Sequence, residues 1–253
     1  MRIASKIYAS PVHVLEPGTL FIVPTPLGNL EDLSLRVIRI LHGVDWIAAE
    51  DTRHTGLLLS RLGIKKQLFS SHQFNESGRS RQLVDLLASG QKGALVTDAG
   101  TPGISDPGQK LVRNAADAGI NIMPLPGPCA VPTAISGSGF PCTEFHFAGF
   151  LPMKSGARLR KMQALSAHAC LIVLYESPHK MPRFLDELAQ VFPNNPVVIG
   201  RELTKKFEEF IRGSGSEIHQ SCANRSWKGE LVIVIDNSNT DILPHHSPAP
   251  LEN

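Results

Sequence analysis

Short apolar runs recurring between amphipathic stretches constrain this chain more than any other feature. Leu20-Phe21-Ile22-Val23 ends at Pro24. Trp46-Ile47-Ala48-Ala49, Ala94-Leu95-Val96-Thr97 and Asn121-Ile122-Met123 follow it at intervals. Each has the length and residue types of a strand buried in a sheet. Between them, Leu83, Val84, Leu86, Leu87 and Ala88 recur at helical spacing, with Arg79, Arg81 and Asp85 outside the stripe. Leu57, Leu58, Leu59 and Leu62 do the same, and Gly63 suits the end of that helix. Strand, helix, strand in this rhythm predicts a largely parallel sheet covered by helices.

The rhythm breaks at Pro124-Leu125-Pro126-Gly127-Pro128, where three prolines exclude both a helix interior and a central strand. This segment is expected to be a domain linker. Beyond it come five strand candidates: Phe145–Gly149, Ala169–Tyr175, Val197–Leu203, Phe207–Ile211 and Leu231–Ile235. Only two clear helices fall among them, near Gly156–Ala167 and Met181–Phe192. Strands following one another this closely predict a mixed sheet with antiparallel pairs. The expected organisation is a flexible leader over 1–17, an N-terminal α/β domain over 18–127, a C-terminal α/β domain over 128–236 and a disordered polar tail over 237–253.

A chain of 253 residues, 42% hydrophobic, can build sizeable cores. Its formal net charge of +2 neither demands nor excludes a nucleic-acid partner, because a local basic patch matters more than the sum. Cys129, Cys142, Cys170 and Cys222 show no CxxC spacing and no paired-histidine ligand pattern, which argues against a zinc site and a disulfide framework. No apolar run approaches the roughly 18–20 residues that span a bilayer. A cytoplasmic protein with reduced thiols, no metal and no membrane partner is expected. GxGxxG, GxxxxGK[ST], HExxH and GxSxG are all absent, so neither a dinucleotide fingerprint nor a P-loop is indicated.

Chemistry is expected where glycine-rich polar loops follow strands, because ligands of open α/β sheets sit at the carboxyl ends of strands. Pro24 to Leu30 is one such loop. Thr97 to Gly108 is a second, holding three glycines, two prolines and two aspartates, more than a connecting turn needs. The linker is the third. Read from the residues by themselves, the chain is a two-domain α/β ligand-binding protein.

Six segments carry a resemblance further: GTLFIVPTPLGNLEDLSLR, AAEDTRHTGLLL, SSHQFNE, ALVTDAGTPGISDPG, PLPGPCAV and IVLYESPHK. In this order, from about Gly18 to Ile235, they resemble the branch of the tetrapyrrole methylase superfamily that methylates cytidine 2′-hydroxyls of 16S ribosomal RNA. The resemblance implies a two-domain class III methyltransferase fold with a mostly parallel N-terminal sheet, a mixed C-terminal sheet and a cofactor cleft between the domains. It implies S-adenosyl-L-methionine as cofactor, held by Pro26, Leu27, Gly28, Asp98, Thr101, Ile104, Ser105, Cys129, Ala130 and Tyr175. Thr101 stands where related methylases carry the aspartate of a glycine-aspartate-proline loop. The implied substrate is a decoding-centre cytidine of 16S rRNA within the small ribosomal subunit, and the implied assembly is a homodimer.

A ribose 2′-hydroxyl is a poor nucleophile until its proton is removed or a cation steadies the alkoxide. Within the resembling motifs, Glu50, Asp51, Arg53, Glu76 and Lys180 are the catalytic candidates, with His72 and Asn75 beside them. Plainer roles compete. Glu50 and Asp51 suit a helix N-terminus, His72 an exposed loop, and Lys180 the first turn after Pro178. Lys154, Arg158, Arg160 and Lys161 form the densest cationic run, with no acid among them, and are the candidate RNA contacts. A solvated helix start is the alternative. Two other functions compete: methylation of a tetrapyrrole or protein side chain, and a non-catalytic module that binds cofactor or RNA.

Overall fold

The structure is a computed structural model that describes residues 15–71 and 76–238. Residues 1–14, 72–75 and 239–253 lie outside the described residues, and so do the side chains of 76 and 77. His72, Asn75, the Glu76 side chain, most of the expected leader and most of the expected tail are among them. The described backbone divides into two compact units at Cys129/Ala130, just past the expected break.

The first unit runs β1 (Thr19–Ile22), α1 (Leu35–Gly43), β2 (Trp46–Ala49), α2 (Thr52–Arg61), β3 (Gln67–Ser70), α3 (Glu76–Ala88), β4 (Gly93–Val96), α4 (Gln109–Asp117) and β5 (Asn121–Pro124). The strands form one sheet in the order β3-β2-β4-β1-β5, every pair parallel. The three inner strands are buried throughout, as their unbroken apolar runs require. Because strand side chains alternate between faces, each strand feeds two cores. Phe21, Val23, Ile47, Ala49, Ala94 and Val96 pack with Val37, Ile40 and Leu41 of α1 and Leu59 of α2. Leu20, Ile22, Trp46, Ala48 and Leu95 pack with Leu83 and Leu87 of α3 and Leu111 and Ala115 of α4. Gly93 is set by that second core: a Cβ there would lie 2.2 Å from the Trp46 ring.

Sequence reasoning missed β3, α1 and α4. β3 is a four-residue edge strand, only partly buried, and so lacks a continuous apolar run. α1 announces itself through its cap, where the Ser34 side chain accepts from the Val37 N–H at 3.1 Å. α4 has no side-chain cap and begins at Gly108, whose φ of +125° places the loop end just under Leu95.

The second unit runs α5 (Ala130–Ser138), β6 (Phe145–Phe150), α6 (Ser155–Leu165), β7 (Leu171–Glu176), a 3-10 turn at Pro178–Lys180, α7 (Met181–Val191), β8 (Pro196–Arg201), β9 (Glu209–Ser214), α8 (Gly215–Cys222) and β10 (Leu231–Asp236). Its sheet has the order β6-β7-β10-β8-β9 and is mixed. The β6/β7 pair is parallel and the other three are antiparallel. Met162 and Leu165 of α6, Phe184 and Leu188 of α7 and Ile218 of α8 close its core over Ile172, Leu174, Ile199 and Ile233.

The expectation of two helices here is corrected to four among the described residues. α5 carries Pro132 and Gly137, which read as breakers. Pro132 falls in the first turn, where an N–H would have no intrahelical acceptor and its absence loses no helix hydrogen bond. α8 is short and polar outside, and a capping box holds it: Ser214 accepts from the Glu217 N–H while Glu217 accepts from the Ser214 N–H. Strand ends differ from expectation by a few residues. The largest shift is at β9, which starts at Glu209 because the preceding residues form a separate turn.

Candidate functional site

The two glycine-rich loops of the first unit leave adjacent strands β1 and β4 at their carboxyl ends, and the backbone ties them together. Thr25 N–H donates to the Gly100 carbonyl at 2.9 Å, and Gly100 N–H returns a bond to the Thr25 carbonyl at 3.0 Å. The Thr25 hydroxyl, buried, donates to the Thr97 carbonyl at 2.9 Å. Leu27 folds over Gly100, so a Cβ on that glycine would lie 3.3 Å from the Leu27 side chain and 3.8 Å from the Pro128 carbonyl. The proline segment joins the same cluster. Thr101 Oγ1 donates to the Pro128 carbonyl at 3.0 Å, and Gly127 sits so close to Pro24 that a Cβ would approach to 2.8 Å. Of the sequence-predicted cofactor residues, these contacts bring together Leu27, Thr101 and their neighbours in three loops.

The loop after β4 is conformationally demanding. Gly100 and Gly103 have φ of +88° and +83°, and Ser105, which is not a glycine, has +64°. Left-handed conformations at a side-chain-bearing residue are costly and gather where a loop must hold one shape. Ile104 and Ser105 are exposed beside this turn, and Gly28 is exposed in the partner loop. The loops therefore offer backbone rather than long side chains.

Beside them lie three carboxylates. Glu50 and Asp51 follow β2, and Asp98 follows β4. The Thr97 hydroxyl donates to Glu50 Oε2 at 2.8 Å, and the Asp51 N–H donates to Asp98 Oδ1 at 3.2 Å. Burial, then the neighbouring Glu50 carboxylate, push the Asp98 carboxyl above the ordinary range. Asp51 is driven the other way. Its side chain caps α2 by accepting from the Arg53 N–H at 2.8 Å and pairs with the Arg53 guanidinium at 3.2 Å. Hydrogen bonding from Arg53 holds the Asp51 carboxyl below the usual range. The helix-start role therefore accounts for Asp51 and Arg53 together, and the shifts of Asp51 and Asp98 run in opposite directions.

Thr25 and Thr97 are the residues that sequence reasoning overlooked. Both are buried; Thr97 offered the signal of a threonine closing an otherwise apolar run, whereas Thr25 follows Pro24 and offered none. Thr55 and Ser71 also bury hydroxyls that have no hydrogen-bond partner among the described residues.

In the second unit, Tyr175 stacks edge-on against Phe147 and Phe150, with ring centroids 5.0 and 5.6 Å away. Lys180 ends the 3-10 turn that follows and stands at the N-cap of α7. Ala130 starts α5, directly after Cys129. The cationic run needs a correction. Lys154, Arg160 and Lys161 are exposed, but Arg158 is 1% exposed and bonded to Glu176 and Glu187. Helical spacing turns Arg158 onto the same face as Met162 and Leu165, into the core, so it cannot meet RNA phosphate. Among the described residues, no three His, Cys, Asp or Glu side chains gather as a metal-binding group, and no helix is long and apolar enough to cross a membrane.

The model of the Tetrapyrrole (Corrin/Porphyrin) Methylases family matches residues 19–219. Ribosomal RNA small subunit methyltransferase I of Escherichia coli O157:H7 is 45% identical over 223 residues, covering 87% of this chain and 78% of the relative. The protein of the same name from Pasteurella multocida (strain Pm70) is 46% identical over 226 residues, covering 87% and 79%. Among solved structures, a uroporphyrin-III C-methyl transferase from Thermus thermophilus complexed with S-adenyl homocysteine superposes with a TM-score of 0.60 at 15% identity, over 87% of this chain and 98% of that one. Parallel first sheet, mixed second sheet and sequence identity agree: this chain belongs to the tetrapyrrole methylase family, in the branch of the ribosomal RNA small subunit methyltransferases I.

Proposed function

We propose that this protein transfers a methyl group from S-adenosyl-L-methionine to the 2′-hydroxyl of a decoding-centre cytidine in 16S rRNA. The observation that carries the reading is the 45% and 46% identity to two enzymes named for the small-subunit ribosomal RNA, each over 87% of this chain. The Thermus neighbour, solved with the demethylated cofactor, supports the choice of cofactor.

The three tied loops suit such a ligand. Gly100 leaves open the space that a side chain would fill beside Leu27 and Pro128, and the turn at Gly103 and Ser105 presents backbone groups. Pro26, Leu27, Gly28, Asp98, Thr101, Ile104, Ser105 and Cys129 of the first unit, with Ala130 and Tyr175 of the second, are the proposed cofactor contacts. Thr101 cannot supply the charge of an aspartate. Its hydroxyl instead fixes the proline segment through Pro128. When bound, S-adenosyl-L-methionine supplies an electrophilic methyl on a sulfonium.

The chain's own contribution is alignment and a proton acceptor. Asp98 is proposed to accept the 2′-hydroxyl proton. Its raised affinity for a proton makes it a stronger base than an ordinary aspartate, and the Asp51 N–H donates to it. Arg53 and Lys180 remain candidates for the cation that steadies the alkoxide, and Glu76 for a proton acceptor. Lys154, Arg160 and Lys161 are the proposed RNA contacts. A homodimer in the cytoplasm, acting on RNA within the small subunit, completes the reading.

Labelled S-adenosyl-L-methionine incubated with 30S subunits or naked 16S rRNA tests it. Label on a cytidine ribose is expected. Transfer to a tetrapyrrole or a protein instead would overturn the substrate assignment.

A further inference from the structure

We infer that the buried ion network of Arg158, Glu176 and Glu187 is a positioning device for the Tyr175–Lys180 segment, rather than a stabilising element of the core. The inference rests on the reading that this segment carries a cofactor contact and a candidate catalytic residue.

Three elements meet at one guanidinium. Arg158 projects from α6 and donates from Nη2 to Glu176 Oε2 at 2.8 Å and from Nε to Glu187 Oε2 at 2.9 Å. Glu176 is the last residue of β7 and Glu187 lies on α7. The Arg158 and Glu176 side chains are each 1% exposed and that of Glu187 is 9% exposed. Arg183, half exposed on α7, donates to the second oxygen of Glu187 at 3.1 Å. Two cations thus face two carboxylates.

As a source of stability this is a poor arrangement. Dehydrating buried charges consumes most of what their attraction returns, and apolar groups of similar volume often serve a core as well or better. The surroundings are already apolar: Met162, Leu165, Phe184 and Leu188 belong to the same core. Among the described residues, the network also leaves Arg158 Nη1 buried without a hydrogen-bond partner. What it supplies, and apolar packing cannot, is direction. The second oxygen of Glu176 accepts from the Ser177 N–H at 2.8 Å, so the carboxylate that Arg158 grips also grips the first residue of the following turn. Pro178 holds Ser177 extended. Lys180 N–H then closes the turn on the Ser177 carbonyl at 2.9 Å. The path from α6 to Lys180 is therefore a chain of directed bonds: Arg158 to Glu176, Glu176 to Ser177, Ser177 to Lys180.

The test replaces the network by matched apolar residues, Arg158→Met with Glu176→Leu and Glu187→Leu in one chain, and separately makes Arg158→Lys, which keeps charge and loses the fork. The triple variant is expected to melt at or above the wild-type temperature while methyl transfer to 16S rRNA, at saturating S-adenosyl-L-methionine, falls at least tenfold. Arg158→Lys is expected to fold and to speed amide hydrogen exchange at Ser177 and Lys180 at least tenfold, a readout independent of activity. Wild-type turnover in the triple variant, or unchanged exchange in Arg158→Lys, overturns the inference. A wild-type protein that methylates no RNA overturns the proposed function instead, and the exchange measurement still decides the positioning role.

Discussion

Gly100→Ala separates the cost of a strained turn from the loss of a ligand site. Gly100 sits at φ +88°, in the left-handed region, where an added Cβ costs about 1–2 kcal/mol. The new methyl would also lie 3.3 Å from the Leu27 side chain, close enough to push it by a few tenths of an ångström. For a chain of this size that loss lowers the melting temperature by about 2–8 °C. Gly90→Ala is the matched control. Gly90 has φ of +92°, no described residue lies within 4 Å of its Cβ position, and its carbonyl accepts from the Gly18 N–H at the amino end of β1, away from the candidate loops. Both variants should lose similar stability in thermal melts. Titration calorimetry with S-adenosylhomocysteine should then part them. Gly90→Ala should keep the wild-type Kd, whereas Gly100→Ala should weaken it at least tenfold, about 1.4 kcal/mol. Equal affinities in both variants would refute the argument that the loop pair at Thr25 and Gly100 cradles the cofactor.

Other consequences follow from named contacts. The Asp98 carboxyl is raised in the folded protein, so its contribution to stability is present below the unfolded pKa of an aspartate and is lost as pH rises through the folded value. Asp98→Asn should therefore be more stable than wild type at neutral pH and lose that advantage on acidification, while methyl transfer falls; a constant difference across pH in denaturant melts would contradict this. Arg158→Ala leaves Glu176 and Glu187 buried without their common partner, which should cost about 3–5 kcal/mol at neutral pH. Urea unfolding measures that loss, and an Arg158→Ala variant as stable as wild type would contradict it. Replacing Lys154, Arg160 and Lys161 by glutamine should flatten the salt dependence of RNA binding by about 2 in the log–log slope, at roughly 0.7 per single-strand contact. An unchanged slope would remove the patch from the interface.

The first sheet was readable because its inner strands are buried on both faces and therefore spelled as unbroken apolar runs. Its edge strand β3 was not, since only a partly buried, four-residue segment had to be spelled. α5 hid behind Pro132 and Gly137, residues whose meaning depends on their place in the helix. At the site, the loops could be found from their glycines, but not the pairing that joins them. Thr25 and Gly100 are far apart in the chain, and their mutual hydrogen bonds are made by backbone, which carries no residue signature. Arg158 shows the opposite failure. As one of four cations without an acid nearby it suggested a surface patch, and only its distant partners Glu176 and Glu187 reveal a buried role. Charge runs report exposure poorly when helical spacing turns one member inward.

The most direct measurement is the position of the methyl group after reaction with labelled S-adenosyl-L-methionine, mapped by nuclease digestion and mass spectrometry of 16S rRNA from treated 30S subunits and from naked RNA. A 2′-O-methylcytidine in the decoding centre, lost in Asp98→Asn, is the result expected here. Label on a base, or no label in either RNA form despite measurable S-adenosylhomocysteine binding, would contradict it.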